Sequence, residues 1–321
     1  MSHSPSPQRG PSPSQTEGHR EAAERWTILR LLDWTARFFE SKGIDTARLD
    51  AELLLAHALG CRRIELYARY DEVPDGEPLA RFRDAVRRRS QRVPAKYLTG
   101  ETEFYSLALA VGPAVLIPRP ETEFLVEQAL KALPKDEERR VADLGTGSGA
   151  IAIAVAKHRP EASLVATDAS PEALDVARAN AQRHGVGDRI EFRRGSWFEA
   201  LAAGMVFDAI VSNPPYVATA DLARAMPEVR DHEPRAALDG GPDGLDALRT
   251  LAAGAPAWLK PGGWLIVEVG AGQAQAVTEL AEGTGRYETI GVVPDFAGID
   301  RVVSMRKRQD SFADRDEAAS P

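Results

Sequence analysis

Four consecutive residues, Asn213, Pro214, Pro215 and Tyr216, bring together a side-chain amide, two prolines and a phenol. They follow Phe207 to Ser212, a short apolar run of the kind that forms a buried strand. Neither proline has an N–H, and both hold φ at about −65°, so the strand cannot continue and the chain turns a rigid corner. That corner presents one amide, carbonyls for which no proline N–H competes, and one aromatic ring. It suits a planar group bearing an NH₂. The nitrogen of an amide or aryl amine is a poor nucleophile because its lone pair is delocalised. The Asn213 side-chain oxygen and the Pro214 carbonyl can each accept one N–H. This directs the remaining lone pair at a methyl group on a sulfonium and stabilises the positive charge that develops. Tyr216 can pack on the planar face of the substrate group. No strong base is required, since the proton becomes acidic once the nitrogen is alkylated. Most of the rate is expected from alignment.

A second cluster lies upstream. Asp143-Leu144-Gly145-Thr146-Gly147-Ser148-Gly149 closes another apolar run with three glycines at alternate positions. Such spacing permits a tight turn and close approach of a ligand to the backbone. The turn feeds a helix N-terminus, which favours polar and anionic ligands. Ala150 completes the dinucleotide fingerprint with its permitted alanine. Dinucleotide enzymes and methyltransferases using S-adenosylmethionine (AdoMet) share a loop of this kind. Asp168 ends the next apolar run, where a carboxylate can accept both hydroxyls of a ribose, of NAD or of AdoMet. Ser170 is better placed than Asp168 to cap the helix that begins at Pro171. Trp197, in Gly195-Ser196-Trp197-Phe198, can stack on or flank an adenine, with Phe198 assigned to the core.

Strands and helices must bring these residues together. From Arg139 onward, strands are expected at 140–144, 163–168, 189–193, 207–212, 264–269 and near 287–293 and 300–305. Helices are expected at 149–158, 171–184, 243–258 and 272–281. Strand–helix alternation with short apolar strands predicts an α/β fold with a doubly wound, mostly parallel sheet. Only a loop joins the last two strands, so they are expected to be antiparallel neighbours. In an open α/β sheet, ligands bind beyond the carboxyl ends of the strands. Gly145 to Gly149, Asp168, Trp197 and Asn213 are therefore expected to converge on one pocket. A dehydrogenase is disfavoured, because no placed histidine or Tyr–Lys pair supplies a hydride-transfer acid.

Upstream, residues 21–95 read as helices only. Trp26, Leu29, Leu32 and Phe39 recur at helical spacing in the first, and Leu49, Leu53 and Ala56 line the second, which Gly60 ends. A third carries Ile64, Leu66 and Tyr67, and a fourth Leu79, Phe82 and Val86. Together they predict a small helical bundle. The fourth also carries Arg81, Arg83, Arg87, Arg88, Arg89, Arg92 and Lys96, either a solvated face or a docking surface for an acidic partner or RNA. Residues 96–118 change period and suggest a connecting hairpin. Residues 119–306 are expected to form the α/β domain that carries both clusters, and 1–20 and 307–321 are expected to be disordered tails.

Composition narrows the function classes. Of 321 residues, 43% are hydrophobic, enough for a sizeable core. No apolar run is long enough for a membrane span, and the first twenty residues lack the apolar core of a secretory signal. The single cysteine, Cys61, makes no internal disulfide, and no metal-ligand spacing is present. A reduced, cytoplasmic protein is expected. Forty basic against 48 acidic residues give a net charge of −8, which gives no reason to expect nucleic acid as substrate.

Over residues 25–306 the chain resembles the HemK/PrmC release-factor glutamine methyltransferases. Besides the two clusters above, the resemblance rests on Tyr97-Leu98-Thr99-Gly100 with Glu103-Phe104, Ile117-Pro118-Arg119-Pro120-Glu121-Thr122-Glu123 and Glu233-Pro234-Arg235-Ala236-Ala237-Leu238. Gly244-Leu245-Asp246, Glu268-Val269-Gly270 with Gln273, and Asp295 to Val302 complete it. Asn213 to Tyr216 alone is shared with adenine-N6 DNA methyltransferases, which leaves adenine-N6 methylation of DNA or RNA as the alternative. The resemblance implies a class I AdoMet-dependent methyltransferase domain with seven strands. It implies AdoMet as methyl donor, and as substrate the glutamine N5 of the Gly-Gly-Gln loop of peptide-chain release factors. It also implies an N-terminal helical domain that helps hold the release factor. Gly145, Thr146, Gly147, Ser148, Gly149, Asp168, Trp197 and Asn213 would contact the cofactor, and Asn213, Pro214, Pro215 and Tyr216 would hold the glutamine. Phe104 and Arg119 to Glu121 would line or support the entrance. The acidic residue that often precedes the position of Trp197 is Ser196 here.

Overall fold

A computed structural model describes residues 25–309. The tail expected at 1–20 lies outside the described residues, as does all of the tail expected at 307–321 except 307–309, and Lys307 ends a strand. The chain forms two compact units that divide between Thr99 and Gly100.

The first unit holds α1 (Ile28–Ser41), α2 (Ala47–Leu59), α3 (Arg63–Ala68), α4 (Gly76–Ser90) and the short α5 (Ala95–Thr99). Thr27 caps α1 by accepting from the Arg30 N–H, and Gly60 ends α2 in a left-handed conformation. Ile28, Leu32, Phe39, Leu54, Leu55, Leu66 and Phe82 are buried together. Periodicity misplaced part of this core. Trp26 precedes α1, and Trp26, Leu29, Leu49, Ile64 and Tyr67 are exposed. α2 is apolar around most of its circumference, so spacing alone does not choose its buried face. The basic run is not one helix face either. Arg89 is buried against Asp50 at 2.8 Å, Arg81 pairs with Glu77, and Arg87 with Asp84. Arg92 lies beyond α4 and donates to the Gly43 carbonyl at 2.7 Å, while Lys96 is on α5.

The second unit opens with a hairpin, β1 (Glu101–Phe104) and β2 (Leu107–Ala110), then α6 (Thr122–Ala132). Next come β3 (Arg139–Leu144), α7 (Ala150–His158), β4 (Ala162–Asp168), α8 (Pro171–Arg183), β5 (Ile190–Arg194) and β6 (Phe207–Ser212). A short helix α9 (Pro227–His232), α10 (Asp246–Gly254), β7 (Leu259–Glu268), α11 (Ala274–Thr284), β8 (Tyr287–Pro294) and β9 (Asp300–Lys307) complete it. The seven strands order as β5-β4-β3-β6-β7-β9-β8, parallel except for β9. This is the doubly wound sheet that the alternation predicted, and β8 and β9 are the antiparallel pair expected.

Successive residues of the central strands enter opposite cores. Val141, Ala209, Val211 and Ile266 pack with α6 and α7 on one face. Ala142, Ile210, Leu265 and Val267 pack with α10 and α11 on the other. All six residues of β6 are buried, which is why Ala209, Ile210 and Val211 follow one another without polar alternation. The chain winds outward from β3 through β4 to β5, then returns to place β6 on the other side of β3. The reversal leaves a crevice between the carboxyl ends of β3 and β6.

Candidate active site

Because β3, β4, β5 and β6 are parallel, the loops that follow them meet at one edge of the sheet. A cavity of about 360 Å³ opens there. Gly145, Thr146, Gly147, Ser148, Asp168, Trp197, Asn213 and Pro215 line it, and so does Thr122 at the start of α6. Three residues assigned to the site from the sequence are not in its wall. Gly149 faces α8, where an added Cβ would meet Ile153 Cδ1 at 3.0 Å and Ala177 Cβ at 3.2 Å. Pro214 is buried beneath the corner, and Tyr216 points away from the cavity into the interior.

The glycine loop is held from both sides. Gly145, Gly147 and Gly149 all have positive φ, at 76°, 55° and 83°, which explains their alternate spacing. The Gly145 and Thr146 N–H groups donate to the Thr167 carbonyl at 2.9 and 2.8 Å. Asp168 Oδ2 accepts from the Gly147 N–H and Oδ1 from the Ser170 N–H, both at 2.9 Å. Asp168 therefore fixes the loop before it meets any ligand, and each oxygen keeps a further lone pair for a hydroxyl. Ser170 caps α8 by accepting from the Ala173 N–H, as its position suggested. Trp197 is held at φ 48°, a strained conformation for a bulky side chain. Its ring lies over Gly145, where an added Cβ would sit 3.6 Å from Cζ3. Phe198 stacks on Trp258 in the core.

Asp143 lies beneath this loop, fully buried. Its Oδ2 accepts from Thr146 Oγ1 at 2.7 Å and from the Ala152 N–H at 3.2 Å, while Oδ1 has no partner. Burial pushes the carboxyl up to about 7; the two donors oppose the rise and the charge of Asp168 adds to it. An unfolded aspartate titrates at about 3.9. Between those values the folded chain holds this proton more tightly. The resulting stability, roughly 4 kcal/mol, is present in full below the unfolded value and is lost as pH rises through about 7. Buried Glu268 and Glu233, both raised chiefly by desolvation, act in the same direction. The midpoint of denaturant unfolding is thus expected to be higher at about pH 5.5 than at about pH 8, with Asp143→Asn narrowing the difference. A midpoint independent of pH over that interval would contradict it.

Asn213 is tied to α6 and β7. Its Nδ2 donates to Thr122 Oγ1 at 3.1 Å, and that hydroxyl donates to Glu268 Oε2 at 2.6 Å. The Tyr216 hydroxyl donates to Glu268 Oε1 at 3.0 Å. Burial and then the charge of Glu268 hold the Tyr216 phenol above its ordinary range, so it keeps its proton. The expectation that Tyr216 packs on the substrate is therefore replaced by a supporting role below the corner.

A further layer fixes the corner's backbone. Gln273 Nε2 donates to the Tyr216 carbonyl at 3.0 Å, and its Oε1 accepts from the Gly270 N–H at 2.8 Å. On the other side the Val217 N–H donates to the Leu238 carbonyl at 2.9 Å and the Gly240 N–H to the Val217 carbonyl at 2.8 Å. Arg119 Nη2 donates to both oxygens of Glu233, at 2.7 and 2.8 Å, joining the loop before α6 to the one carrying Pro234, Ala236 and Ala237, which also line the cavity. Phe104 is core rather than entrance. Asn180 on α8 holds the Ser148 carbonyl and both backbone groups of Ala110. Sequence reasoning gave no role to Thr122, Asn180, Glu233, Glu268 or Gln273. The available signal was polar residues, such as Glu268, closing otherwise apolar strands.

Two protein families match the chain: the PrmC N-terminal domain over residues 30–100 and the methyltransferase small domain over residues 121–229. A release factor glutamine methyltransferase from Geobacter sulfurreducens is 48% identical over 286 residues, 89% of this chain and 99% of the relative. One from Rhodopirellula baltica is 43% identical, covering 88% and 97%. A solved protein-(glutamine-N5) methyltransferase (release factor-specific) from Alicyclobacillus acidocaldarius is 32% identical, with a TM-score of 0.39, covering 62% of this chain and 99% of that one.

Proposed function

The chain belongs to the release factor glutamine methyltransferase family, and from this we infer how its own residues perform the reaction. It transfers a methyl group from AdoMet to the side-chain amide nitrogen (N5) of the glutamine in the Gly-Gly-Gln motif of peptide chain release factors. The observation that carries the site assignment is the meeting of Gly145 to Ser148, Asp168, Trp197 and Asn213 around one cavity at the topological switch point.

The cavity fits the methyl donor. Its volume lies in the range of small-molecule sites. The positive-φ glycines leave backbone bare on one side, Asp168 offers carboxylate lone pairs for a ribose, and Trp197 offers an indole face for an adenine. No acidic side chain stands at Ser196, so the adenine amine has no carboxylate partner from that position. When bound, AdoMet supplies an electrophilic methyl carbon on a sulfonium.

The chain supplies alignment. Asn213 Oδ1 and the Pro214 carbonyl, to which no backbone N–H among the described residues donates, accept the two N–H groups of the glutamine amide. Held this way, the nitrogen lone pair is directed out of the amide plane toward the methyl carbon. The same two acceptors stabilise the positive charge on nitrogen as it is alkylated. The alkylated nitrogen is acidic enough to lose its proton to solvent. Tyr216, paired with Glu268, acts as neither acid nor base. The place of action is the cytoplasm, where release factors work. Among the described residues no helix is long and apolar enough to cross a membrane.

Mass spectrometry of the Gly-Gly-Gln peptide from release factor, treated with AdoMet with and without this protein, tests the reading. The expected result is a gain of one methyl group on the glutamine only when the protein is present. An unchanged peptide mass, or label from AdoMet passing to DNA instead, would overturn it.

A further inference from the structure

We propose that Thr122 and Glu268 set the direction in which the Asn213 side-chain amide points, and so decide whether the glutamine meets an acceptor or a donor. The proposal rests on the functional reading above and deepens it. Both residues act through Asn213, as positioning residues.

The two ends of an asparagine amide have nearly the same shape and opposite hydrogen-bonding character. Which end faces a ligand is decided by the partners of the other end. With Oδ1 toward the cavity, Asn213 can accept a glutamine N–H. With Nδ2 toward it, two N–H groups would confront each other, and the alignment would fail.

The choice traces back to one buried carboxylate. Glu268 closes β7 and is only 1% exposed. Two hydroxyls donate to it, one to each oxygen: Thr122 Oγ1 at 2.6 Å and the Tyr216 hydroxyl at 3.0 Å. The shorter distance is that of an O–H···O⁻ bond. Each Glu268 oxygen already accepts from a hydroxyl, so the single hydroxyl proton of Thr122 is committed to Glu268. Oγ1 then has only lone pairs to offer Asn213. It must meet Nδ2, as it does at 3.1 Å. Oδ1 is left over, and no protein donor among the described residues reaches it. The polarity of the catalytic amide is thus transmitted through two hydrogen bonds from an acid that touches no substrate. Gln273 and the close approach of Gly244 hold the backbone of the same corner, and Thr122 holds the amide that stands on it.

Thr122→Val keeps the shape and deletes the hydroxyl. Single-turnover methylation of intact release factor is expected to slow by about 10- to 100-fold, with AdoMet affinity nearly unchanged. Thr122→Ser, which restores the hydroxyl, recovers most of the rate. Glu268→Gln slows the reaction in the same direction, because its Nε2 can donate to Thr122 Oγ1 and free that proton for Asn213 Oδ1, which reverses the amide. The decisive measurement is the coupling with Asn213→Ala. In that background Thr122→Val is expected to cause almost no further loss, since nothing is left to orient. Equal losses in both backgrounds, or a serine variant as slow as the valine one, would assign Thr122 a general structural role and overturn the proposal. An active wild type matched in rate by Thr122→Val overturns this proposal alone. A wild type that methylates no release factor overturns the functional reading and this proposal together.

Discussion

Asn213→Ala is expected to lower kcat for release factor methylation by about 10²- to 10³-fold, the loss seen when one preorganised group that stabilises transition-state charge is removed. The substitution deletes one of the two acceptors that hold the glutamine amide. The Pro214 carbonyl cannot compensate, because two acceptors are needed to fix the plane of an NH₂ group. Binding of the methyl donor should weaken far less than the rate falls, since Gly145, Gly147, Asp168 and Trp197 line the same cavity and the glycine loop is held by Thr167 and Asp168. Nor should the fold suffer: Asn213 is half-buried, and among the described residues its side chain hydrogen-bonds Thr122 alone. The prediction is checked by parallel measurement of single-turnover rates and of AdoMet binding by calorimetry. Wild-type rates from the variant would remove the amide from the mechanism.

The second large effect comes from a residue that touches no ligand. Gly244 has φ 77°, and a Cβ added there would lie 2.3 Å from the Tyr216 carbonyl oxygen and 2.7 Å from Gln273 Nε2. The first contact is with backbone and cannot be relieved by a side-chain rotation. Gly244→Ala must therefore push the segment that follows Pro215, and with it the carbonyl and amide that grip the glutamine. A displacement of about 1 Å at such a site can reduce the rate by roughly 10²-fold. Left-handed backbone at a non-glycine residue adds strain of about 1 kcal/mol or more. The expected result is a loss of kcat near that of Asn213→Ala together with a lowered unfolding midpoint. Gly283→Ala is the control. Gly283 lies in α11 with nothing within 4 Å of an added Cβ and no positive φ, so alanine there should be neutral or slightly stabilising. Equal behaviour of the two variants would mean that the corner tolerates displacement.

Much of the fold is legible in the chain because its signals are local. Phe207 to Ser212 carries consecutive apolar residues at Ala209, Ile210 and Val211, without alternation, as a strand covered on both faces does, and the paired prolines after it can end a strand but not extend it. The three glycines after β3 mark three positive-φ positions in one turn. Ser170 before Pro171 marks a helix start. The helical unit is less legible. Trp26, Leu29, Leu49 and Ile64 have core chemistry but face outward, because apolar spacing names several possible faces and only packing selects one. The arginine run is deceptive for a related reason. Arg89 is buried with Asp50, 39 positions away, a pairing that no local pattern announces.

The sequence by itself determined the chemistry on offer: an amide and a bare carbonyl at a proline corner, a glycine loop, and a carboxylate after the next strand. Their spacing along strands and turns also determined that they meet at one sheet edge. Only the tertiary structure decided how each group is used. Tyr216, adjacent to the reacting amide in sequence, turns inward to Glu268 and supports the site rather than lining it. Thr122, 91 positions from Asn213, becomes its partner because α6 packs beside the ends of β6 and β7. The physical reason is that a residue's conformation is set by neighbours in sequence, whereas the direction of a buried hydrogen bond is set by whichever donor or acceptor the fold brings opposite it. In this chain the catalytic corner was local, and the polarity of its amide was not.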